Sequence, residues 1–238
     1  MRTRAAANRS AMDEKGAAGE ETVMTAEDLG ENARRLWRQA QALNLRAAAV
    51  SPATGRLPPL LFFTDPERTP RPWETAARMP TGSGVVFRGF GQVEAVEAAQ
   101  RLRAVTRDAG IRLLIGADAD LAAAVEADGI HLPERLAGEA ARLRAAHPDW
   151  LITAAIHETR AEFPVRDLDA LVASPVFPTT SASARPVLGL DGLARVTALG
   201  LPTYALGGID AETAGRLTRS GVCGLAAVEA VRNAFSGD

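Results

Sequence analysis

The chain has 238 residues, of which 47% are hydrophobic and 24% charged, so it can bury a sizeable core and is not generally disordered. Its formal net charge of -2 argues against a non-specific nucleic-acid binder, and no run of residues is long and apolar enough to cross a membrane. The single cysteine, Cys223, excludes an internal disulfide.

The N-terminal segment, residues 1–23, carries no pattern typical of a folded element. It is rich in Ala, Gly, Arg and Glu and lacks apolar periodicity, which predicts a disordered leader and leaves Met1 and Met24 as alternative start residues. It contains arginines but no apolar signal core, so we expect a cytoplasmic protein.

A helix followed by a linker is predicted over residues 24–57, before the main domain at residues 58–238. Thr25 is the expected N-cap of this helix. Apolar residues then recur at helical spacing and indicate a helix packed against the domain, with a partner-binding helix as the alternative. These residues are Leu29, Ala33, Leu36, Ala40 and Leu43.

Short apolar runs alternate with helical segments through the rest of the chain. Runs this short and this continuously apolar indicate a parallel sheet that is buried on both faces. Eight such units in this length favour a closed (β/α)8 barrel over a doubly wound open sheet. The predicted strands are residues 60–63, 84–87, 111–115, 129–132, 151–156, 171–177, 202–206 and 222–228.

Amphipathic helices are predicted between these strands. The clearest covers residues 92–108, and others begin at Asp118, cover residues 133–146 and follow the glycine pair Gly207-Gly208. Asp210 is the expected N-cap of the last of these helices, and Gly221 lies just past its end. The apolar face expected for residues 92–108 comprises Val93, Val96, Ala99, Leu102 and Val105.

The carboxyl ends of the strands are where a barrel of this kind places its chemistry. His157 can transfer protons near neutral pH, although a structural histidine bonded to a neighbouring loop is an equal alternative. His131, inside an apolar strand, is predicted to be a core histidine. Arg88 suits a phosphate or carboxylate, or a salt bridge across the barrel mouth. The polar residues at these ends are Thr64, Asp65, Arg88, Asp118, His131, His157, Ser174, Thr179, Thr180 and Ser181.

Gly207-Gly208 follows the seventh predicted strand. Two glycines let the backbone approach an anion closely, and the loops after the last two strands of such barrels are the usual phosphate site. The pair therefore predicts a phosphate cradle, and a simple tight turn is the alternative.

Four motifs together resemble the thiamine phosphate synthase family, which includes the TenI-type thiazole tautomerases. They are ADGIHLP, PVFPTT, LGLDGL and ALGGI, within a stretch of resemblance from about residue 60 to residue 235. The resemblance implies a (β/α)8 barrel. It also implies one of two activities. The synthase joins a pyrimidine pyrophosphate to a thiazole phosphate with magnesium, and the tautomerase isomerises a thiazole carboxylate phosphate without a metal.

The resemblance also assigns site residues. His157 lies where the tautomerases have a catalytic histidine. Glu229 stands where the family often has a serine. The substrate and phosphate-binding positions implied are Arg88, Thr179, Ser181, Gly207, Gly208, Ala227 and Val228.

The magnesium and pyrophosphate positions are altered. Ala117 and Leu136 stand where the resemblance expects two aspartates, Ala182 stands where it expects a lysine, and Lys15 is the only lysine in the chain. Carboxylates lie close by at Asp118, Asp120 and Glu134, but none occupies the expected positions. Because magnesium needs hard oxygen ligands, we predict no metal ligand and a degenerate site, with magnesium required only if synthase activity is retained.

Two functions remain open from the sequence. One is an enzyme of thiamine biosynthesis acting on a thiazole phosphate, either a synthase-like transferase or a metal-free tautomerase. The other is a catalytically lapsed barrel that binds a phosphorylated ligand or a protein partner. Convergence of His157, Arg88 and the glycine pair on one open pocket favours the first, and a pocket filled by Phe90 and Phe177 favours the second. Association with a second copy of the chain is left open.

Overall fold

Eight parallel strands form a closed barrel in which each strand pairs with its neighbours in sequence and β8 pairs with β1. The computed structural model describes residues 29–89, 91–158, 163–179 and 185–236. The predicted (β/α)8 barrel is confirmed, and no antiparallel pairing occurs in the ladder. The strands are β1 (Leu60–Phe63), β2 (Gly84–Phe87), β3 (Arg112–Gly116), β4 (Gly129–Leu132), β5 (Leu151–Ile156), β6 (Ala170–Ala173), β7 (Thr203–Leu206) and β8 (Gly224–Ala227).

Within the ranges that the structure describes, a helix follows each strand except β5, and the helices cover the outside of the barrel. Among the described residues, none of them is both long enough and apolar enough to cross a membrane. Three segments are 3-10 helices, at Pro52–Arg56, Glu134–Glu139 and Thr213–Leu217. The α-helices are α1 (Glu31–Val50), α2 (Pro72–Ala76), α3 (Ala95–Asp108), α4 (Ala119–Ala124), α5 (Ala140–Ala146), α6 (Gly189–Thr197) and α7 (Glu229–Phe235).

The apolar strands are buried on both faces, as their composition predicts. One layer of core lies between the strands and the surrounding helices and includes Phe62 and Leu113. The other fills the inside of the barrel and includes Leu61, Phe63 and Tyr204. Tyr204 donates its hydroxyl to the carbonyl of Pro58 at 2.7 Å, so its polar end is satisfied.

The carboxyl half of α1 packs against the amino end of the barrel, and the helix also contacts α7 and the 3-10 helix Thr213–Leu217. Its predicted apolar stripe from Leu29 to Leu43 is buried. The Asn44 side-chain amide donates to the carbonyls of Leu57 and Cys223, at 3.2 and 3.1 Å, and ties the helix to the starts of β1 and β8. The expected N-cap, Thr25, and the predicted leader lie outside the described residues.

The sixth strand is shorter than predicted. It ends at Ala173 because Pro175 has no N–H to continue the ladder, and the Ser174–Pro175 peptide is cis. The chain still runs beside the end of β7, where Val176 and Phe177 donate backbone N–H groups to the carbonyls of Leu206 and Gly207 at 2.9 and 3.0 Å.

Three helix predictions were wrong in detail. The segment 92–108 becomes helical only at Ala95, so Val93 lies before the helix and is exposed. Val96, in the first turn of α3, is also exposed, whereas Ala99 and Leu102 are buried as expected. Residues 133–146 form a 3-10 helix followed by α5. The helix after the glycine pair is a 3-10 helix that begins at Thr213, since Asp210 accepts the N–H groups of Glu212 and Thr213 in a turn before it.

Candidate functional site

Two adjoining cavities open at the carboxyl ends of the strands. The first, here the cradle cavity, has a volume of about 560 Å³ and is lined mainly by the loops after β6, β7 and β8. The second, here the wide cavity, has a volume of about 990 Å³ and is lined mainly by the loops after β2, β3 and β4. Arg88, His157, Ser174 and Leu206 line both cavities and form the wall between them.

The predicted convergence on one pocket is observed. His157, Arg88 and the glycine pair all line the cradle cavity, which remains open although Phe177 lines it. Ser181, Thr180 and Phe90 lie outside the described residues. That these residues bind a ligand or catalyse a reaction remains a prediction. The remaining predicted site residues, Thr179, Ala227 and Val228, also line this cavity.

His157 follows β5 and is held by two neighbouring loops. Its Nδ1 lies 2.6 Å from the Ser174 carbonyl oxygen, and its backbone N–H donates to Glu134 Oε2 at 3.2 Å. Because a carbonyl oxygen only accepts, Nδ1 carries a proton, and in the neutral form of the ring it is Nε2 that has the free lone pair. The structure thus combines the loop contact of a structural histidine with a position on the lining of both cavities.

Arg88 is a cation that is largely buried at the wall between the cavities. Its Nε donates to the Thr64 carbonyl at 2.7 Å, and its Nη2 lies 3.7 Å from Asp65 Oδ2. Burial lowers the pKa of Arg88 to about 10 against the opposing attraction of Asp65, so the guanidinium stays charged at neutral pH. A hydrogen bond from Arg68 is the main cause that lowers the pKa of Asp65. The salt bridge foreseen for Arg88 is therefore present, although long.

Gly207 and Gly208 have φ angles of 94° and 66°, in the left-handed region that favours glycine. A Cβ on Gly208 would lie 2.4 Å from the Pro178 carbonyl oxygen and 2.7 Å from Phe177 Cβ, and one on Gly207 would lie 2.8 Å from Pro175 Cα. Glycine is thus required by packing against the loop after β6, which agrees with the tight-turn alternative and leaves the phosphate cradle a prediction. Within the described residues, no acceptor faces the N–H groups of these two glycines.

The side chains that line the cradle cavity carry a positive balance. Its two carboxylates are Asp210 and Glu229. Burial raises the pKa of Asp210, but hydrogen bonds from Thr213 and Glu212 outweigh it, so the pKa is lowered and the group stays charged. Such a lining suits an anionic ligand. The four guanidinium groups on the lining are those of Arg68, Arg88, Arg185 and Arg216.

His131 lies beneath the wide cavity and is a hydrogen-bonded core histidine, as predicted. Its side chain is buried, its Nδ1 lies 2.9 Å from Thr153 Oγ1, and its ring meets that of Phe63 edge-on at 4.9 Å. Burial, followed by the charges of Arg88 and His157, lowers the pKa of His131 to about 3. The ring is therefore neutral at physiological pH.

Two of the three carboxylates near the expected magnesium positions accept backbone N–H groups, and the third, Asp120, is an exposed residue on the lining of the wide cavity. Asp118 Oδ1 caps α4 by accepting the Leu121 N–H at 2.9 Å, and Glu134 accepts the N–H of His157. In the part of the chain that the structure describes, no three His, Cys, Asp or Glu side chains are grouped so that they could hold a metal ion. These donors do not fit an octahedral magnesium ion, which needs several oxygen ligands.

Several residues of the site were missed by sequence reasoning. Arg68, Arg185 and Arg216 line the cradle cavity, and Glu134 holds the backbone of His157. Arg68 follows β1 closely, so its loop position was an available signal. Arg216 lies on the short helix that follows the glycine pair, and no spacing rule predicts that it lines the cavity.

Comparisons with known proteins agree on one family. A family model described as thiamine monophosphate synthase, TMP-TENI, matches residues 84–231. A thiamine-phosphate synthase from Archaeoglobus fulgidus is 32% identical over 178 residues, which are 71% of this chain and 83% of the relative. One from Pyrococcus furiosus is 34% identical over 145 residues, 59% of this chain and 69% of the relative.

A solved structure shows the same relationship. Thiamine phosphate pyrophosphorylase from Pyrococcus furiosus superposes with a TM-score of 0.60 and 27% sequence identity. The match covers 74% of this chain and 91% of that structure. The similarity therefore extends over the barrel and includes the strand ends that carry the two cavities.

Proposed function

The chain belongs to the thiamine phosphate synthase/TenI family, and from this premise we propose that it acts on a thiazole phosphate in thiamine biosynthesis. The biosynthetic role follows from the family. What we propose beyond the family is the identity of the ligand, the place where it binds and the reaction it undergoes. The phosphate would lie in the cradle cavity, and His157 would act on the thiazole ring as a general acid/base.

One observation carries this proposal. His157, Arg88 and the glycine pair line a single open cavity whose volume of about 560 Å³ suits a small ligand. The backbone N–H groups of Gly207 and Gly208 can donate to phosphate oxygens. A phosphate bound there would leave the ring of the ligand directed toward the wall that contains His157.

A proton transfer by His157 needs no metal. The Nε2 lone pair would take a proton from one atom of the thiazole carboxylate and return it to another, which isomerises the ring without net gain or loss of protons. The Ser174 carbonyl, which accepts the Nδ1 proton at 2.6 Å, would stabilise the imidazolium formed between these two steps. The bound phosphate would hold the ring in position.

The wide cavity supports this isomerisation over synthase chemistry. Departure of a pyrophosphate needs magnesium or neutralising cations, which normally supply several kcal/mol. Here Asp118 and Glu134 are engaged in hydrogen bonds with the backbone, so they are less available to magnesium. The cations on the lining are the arginines Arg88, Arg135 and Arg142, since the barrel contains no lysine.

A catalytically lapsed barrel is the second candidate, and Glu229 is the observation that favours it. This carboxylate lines the cradle cavity close to the proposed phosphate, where a negative charge is unfavourable. A lapsed barrel would bind a phosphorylated ligand, or a protein partner, without turning it over.

The test has a binding step and a turnover step. We would measure thermal shifts with a thiazole phosphate, a thiazole carboxylate phosphate, a pyrimidine pyrophosphate and thiamine phosphate, each with magnesium and with EDTA. We expect the two thiazole phosphates to stabilise the protein equally in both conditions, and the carboxylate to isomerise in EDTA. Stabilisation by the pyrimidine pyrophosphate in magnesium but not in EDTA would establish the synthase. Binding of a thiazole phosphate without turnover would establish the lapsed barrel.

A further inference from the structure

Arg216 is a cation of the cradle cavity that the mechanism above does not use. It lies on the 3-10 helix Thr213–Leu217, and its guanidinium carbon is 4.3 Å from the centroid of the Phe177 ring. The Phe177 ring is 4% exposed, so the guanidinium lies over it as a cover. Stacking of this kind uses the flat face of arginine and leaves its N–H groups free to donate in the plane.

The position of Arg216 is tied to the glycine pair by two hydrogen bonds. The Thr213 hydroxyl donates to the Gly208 carbonyl at 2.9 Å, at the start of the helix that carries Arg216. The backbone N–H of Phe177 donates to the Gly207 carbonyl at 3.0 Å, beneath the ring on which the guanidinium rests. The cation, its platform and the turn therefore form one unit that lines one cavity.

Arg216 differs in its contacts from Arg68 and Arg88, two other arginines of the cradle cavity. Arg68 forms an ion pair with Asp65 at 2.8 Å, and Arg88 donates to the Thr64 carbonyl. Among the described residues, no carboxylate forms an ion pair with Arg216. Its charge thus remains available to a ligand in the cavity.

We propose that Arg216, supported by Phe177, binds the phosphate of the ligand and makes the cradle cavity select a phosphate monoester over the corresponding alcohol. A planar guanidinium can donate two parallel hydrogen bonds to two phosphate oxygens. It also offsets the charge of Glu229 on the same cavity. Since the barrel contains no lysine, an arginine is the cation that this site can supply. The inference rests on the proposed function for the identity of the ligand.

The experiment compares three probes in four proteins. Affinities are measured by calorimetry for a thiazole phosphate and for the same thiazole alcohol, and binding of inorganic phosphate is followed by phosphorus NMR. The proteins are the wild type, Arg216→Gln, Arg216→Lys and the matched control Arg219→Gln. Arg219 is an exposed arginine three positions further along the chain and does not line either cavity.

Arg216→Gln should lower affinity for the thiazole phosphate about ten- to a hundredfold and leave affinity for the alcohol within about twofold. The affinity of Arg216→Lys for the thiazole phosphate should lie between those of the wild type and Arg216→Gln. A lysine keeps the charge but cannot donate two parallel hydrogen bonds. Arg219→Gln should match the wild type. Equal losses in Arg216→Gln and Arg219→Gln, or no loss in Arg216→Gln, would overturn the inference.

The two proposals fail separately. If the wild type binds inorganic phosphate in an Arg216-dependent way but not the thiazole phosphate, the thiazole function is overturned and the anion site at Arg216 stands. If the wild type binds the thiazole phosphate and Arg216→Gln binds it as well, only the inference about Arg216 is overturned. If the wild type binds neither probe, both are overturned.

Discussion

The two cavities at the barrel mouth share a wall but are built in different ways. The floor of the cradle cavity is a turn whose glycines are fixed by close packing against Pro175, Phe177 and Pro178. Any metal site in the wide cavity would depend on side chains after β3 and β4. There, Asp118 caps a helix and alanine occupies position 117.

This difference indicates which half of a site for phosphate and magnesium would tolerate substitution better. A backbone cradle is retained as long as the turn is retained, because its donors are main-chain N–H groups. A metal site made of side chains can be lost one substitution at a time without any effect on the fold. The phosphate end of the site would then outlast the metal end, and the predictions below test this division.

The largest expected effect is at the wall between the cavities. His157→Ala should lower turnover about a hundredfold or more, since general acid/base catalysis is worth roughly that much. Affinity for a thiazole phosphate should stay within about twofold, because the proposed phosphate site is the turn and not His157. Steady-state kinetics and calorimetry on the same protein measure the two quantities.

His147→Ala is the matched control for this prediction. His147 stacks on Trp150 with ring centroids 3.6 Å apart and lines neither cavity, so turnover should remain at the wild-type level. A His157→Ala protein that loses thermal stability but keeps its turnover would show that the histidine is structural.

The next effect tests whether the cradle depends on its backbone. Gly208→Val places a side chain at φ 66° and against the Pro178 carbonyl. The strain should cost about 1–3 kcal/mol, and overpacking should cost about as much again. Urea denaturation should show this loss, and the thiazole phosphate should bind more weakly.

Gly215→Val offers a comparison in the adjoining 3-10 helix. A Cβ on Gly215 would meet nothing within 4 Å. The losses of stability and of affinity in this variant should therefore be only a small fraction of those in Gly208→Val. Wild-type stability and affinity in Gly208→Val would show that the turn neither requires glycine nor forms a cradle.

A third effect concerns His131, beneath the wide cavity. Its folded pKa of about 3 lies below the ordinary value of 6.5, so the unfolded state binds the proton first as the pH falls. Stability should therefore decrease below about pH 6.5, by roughly 2 kcal/mol between pH 7 and pH 5. Urea denaturation at pH 7, 6 and 5 measures this slope.

His131→Gln removes the titrating group and keeps an amide that can bond Thr153. Its stability should change much less between pH 7 and pH 5 than that of the wild type. Asp65, whose pKa is lowered, loses its contribution only at more acidic pH and does not confuse this interval. Equal slopes in the two proteins would mean that His131 is protonated in the folded state.

The barrel itself could be predicted from the sequence because its strands are short apolar runs separated by helical segments. Four of the eight strands, among them β1 and β5, have the predicted bounds. Errors arose where a local feature overrides the apolar pattern. Pro175 ends β6 early, and the turn before Ala95 leaves Val93 in solvent.

The site could be predicted only where residues follow a strand directly. His157, Arg88 and the glycine pair do so, and the barrel brings them together. The reason for glycine at position 208 could not be predicted, because the contact that requires it comes from a loop that is 30 residues away in sequence at Pro178. Arg216 was missed for the same kind of reason, since its platform Phe177 belongs to another loop.

The smallest expected effect is the response to magnesium, and it completes the comparison of the cavities. Asp118 already accepts a backbone N–H, and Ala117 and Leu136 cannot ligate a metal. Calorimetric titration with pyrimidine pyrophosphate should therefore give the same affinity, within about twofold, in magnesium and in EDTA. Asp118→Asn and Asp120→Asn should leave both values unchanged. Magnesium-dependent binding that these substitutions abolish would show that the two aspartates form a relocated metal site. The wide cavity would then be a working pyrophosphate site, and the synthase reaction would replace the isomerisation as the function of the protein.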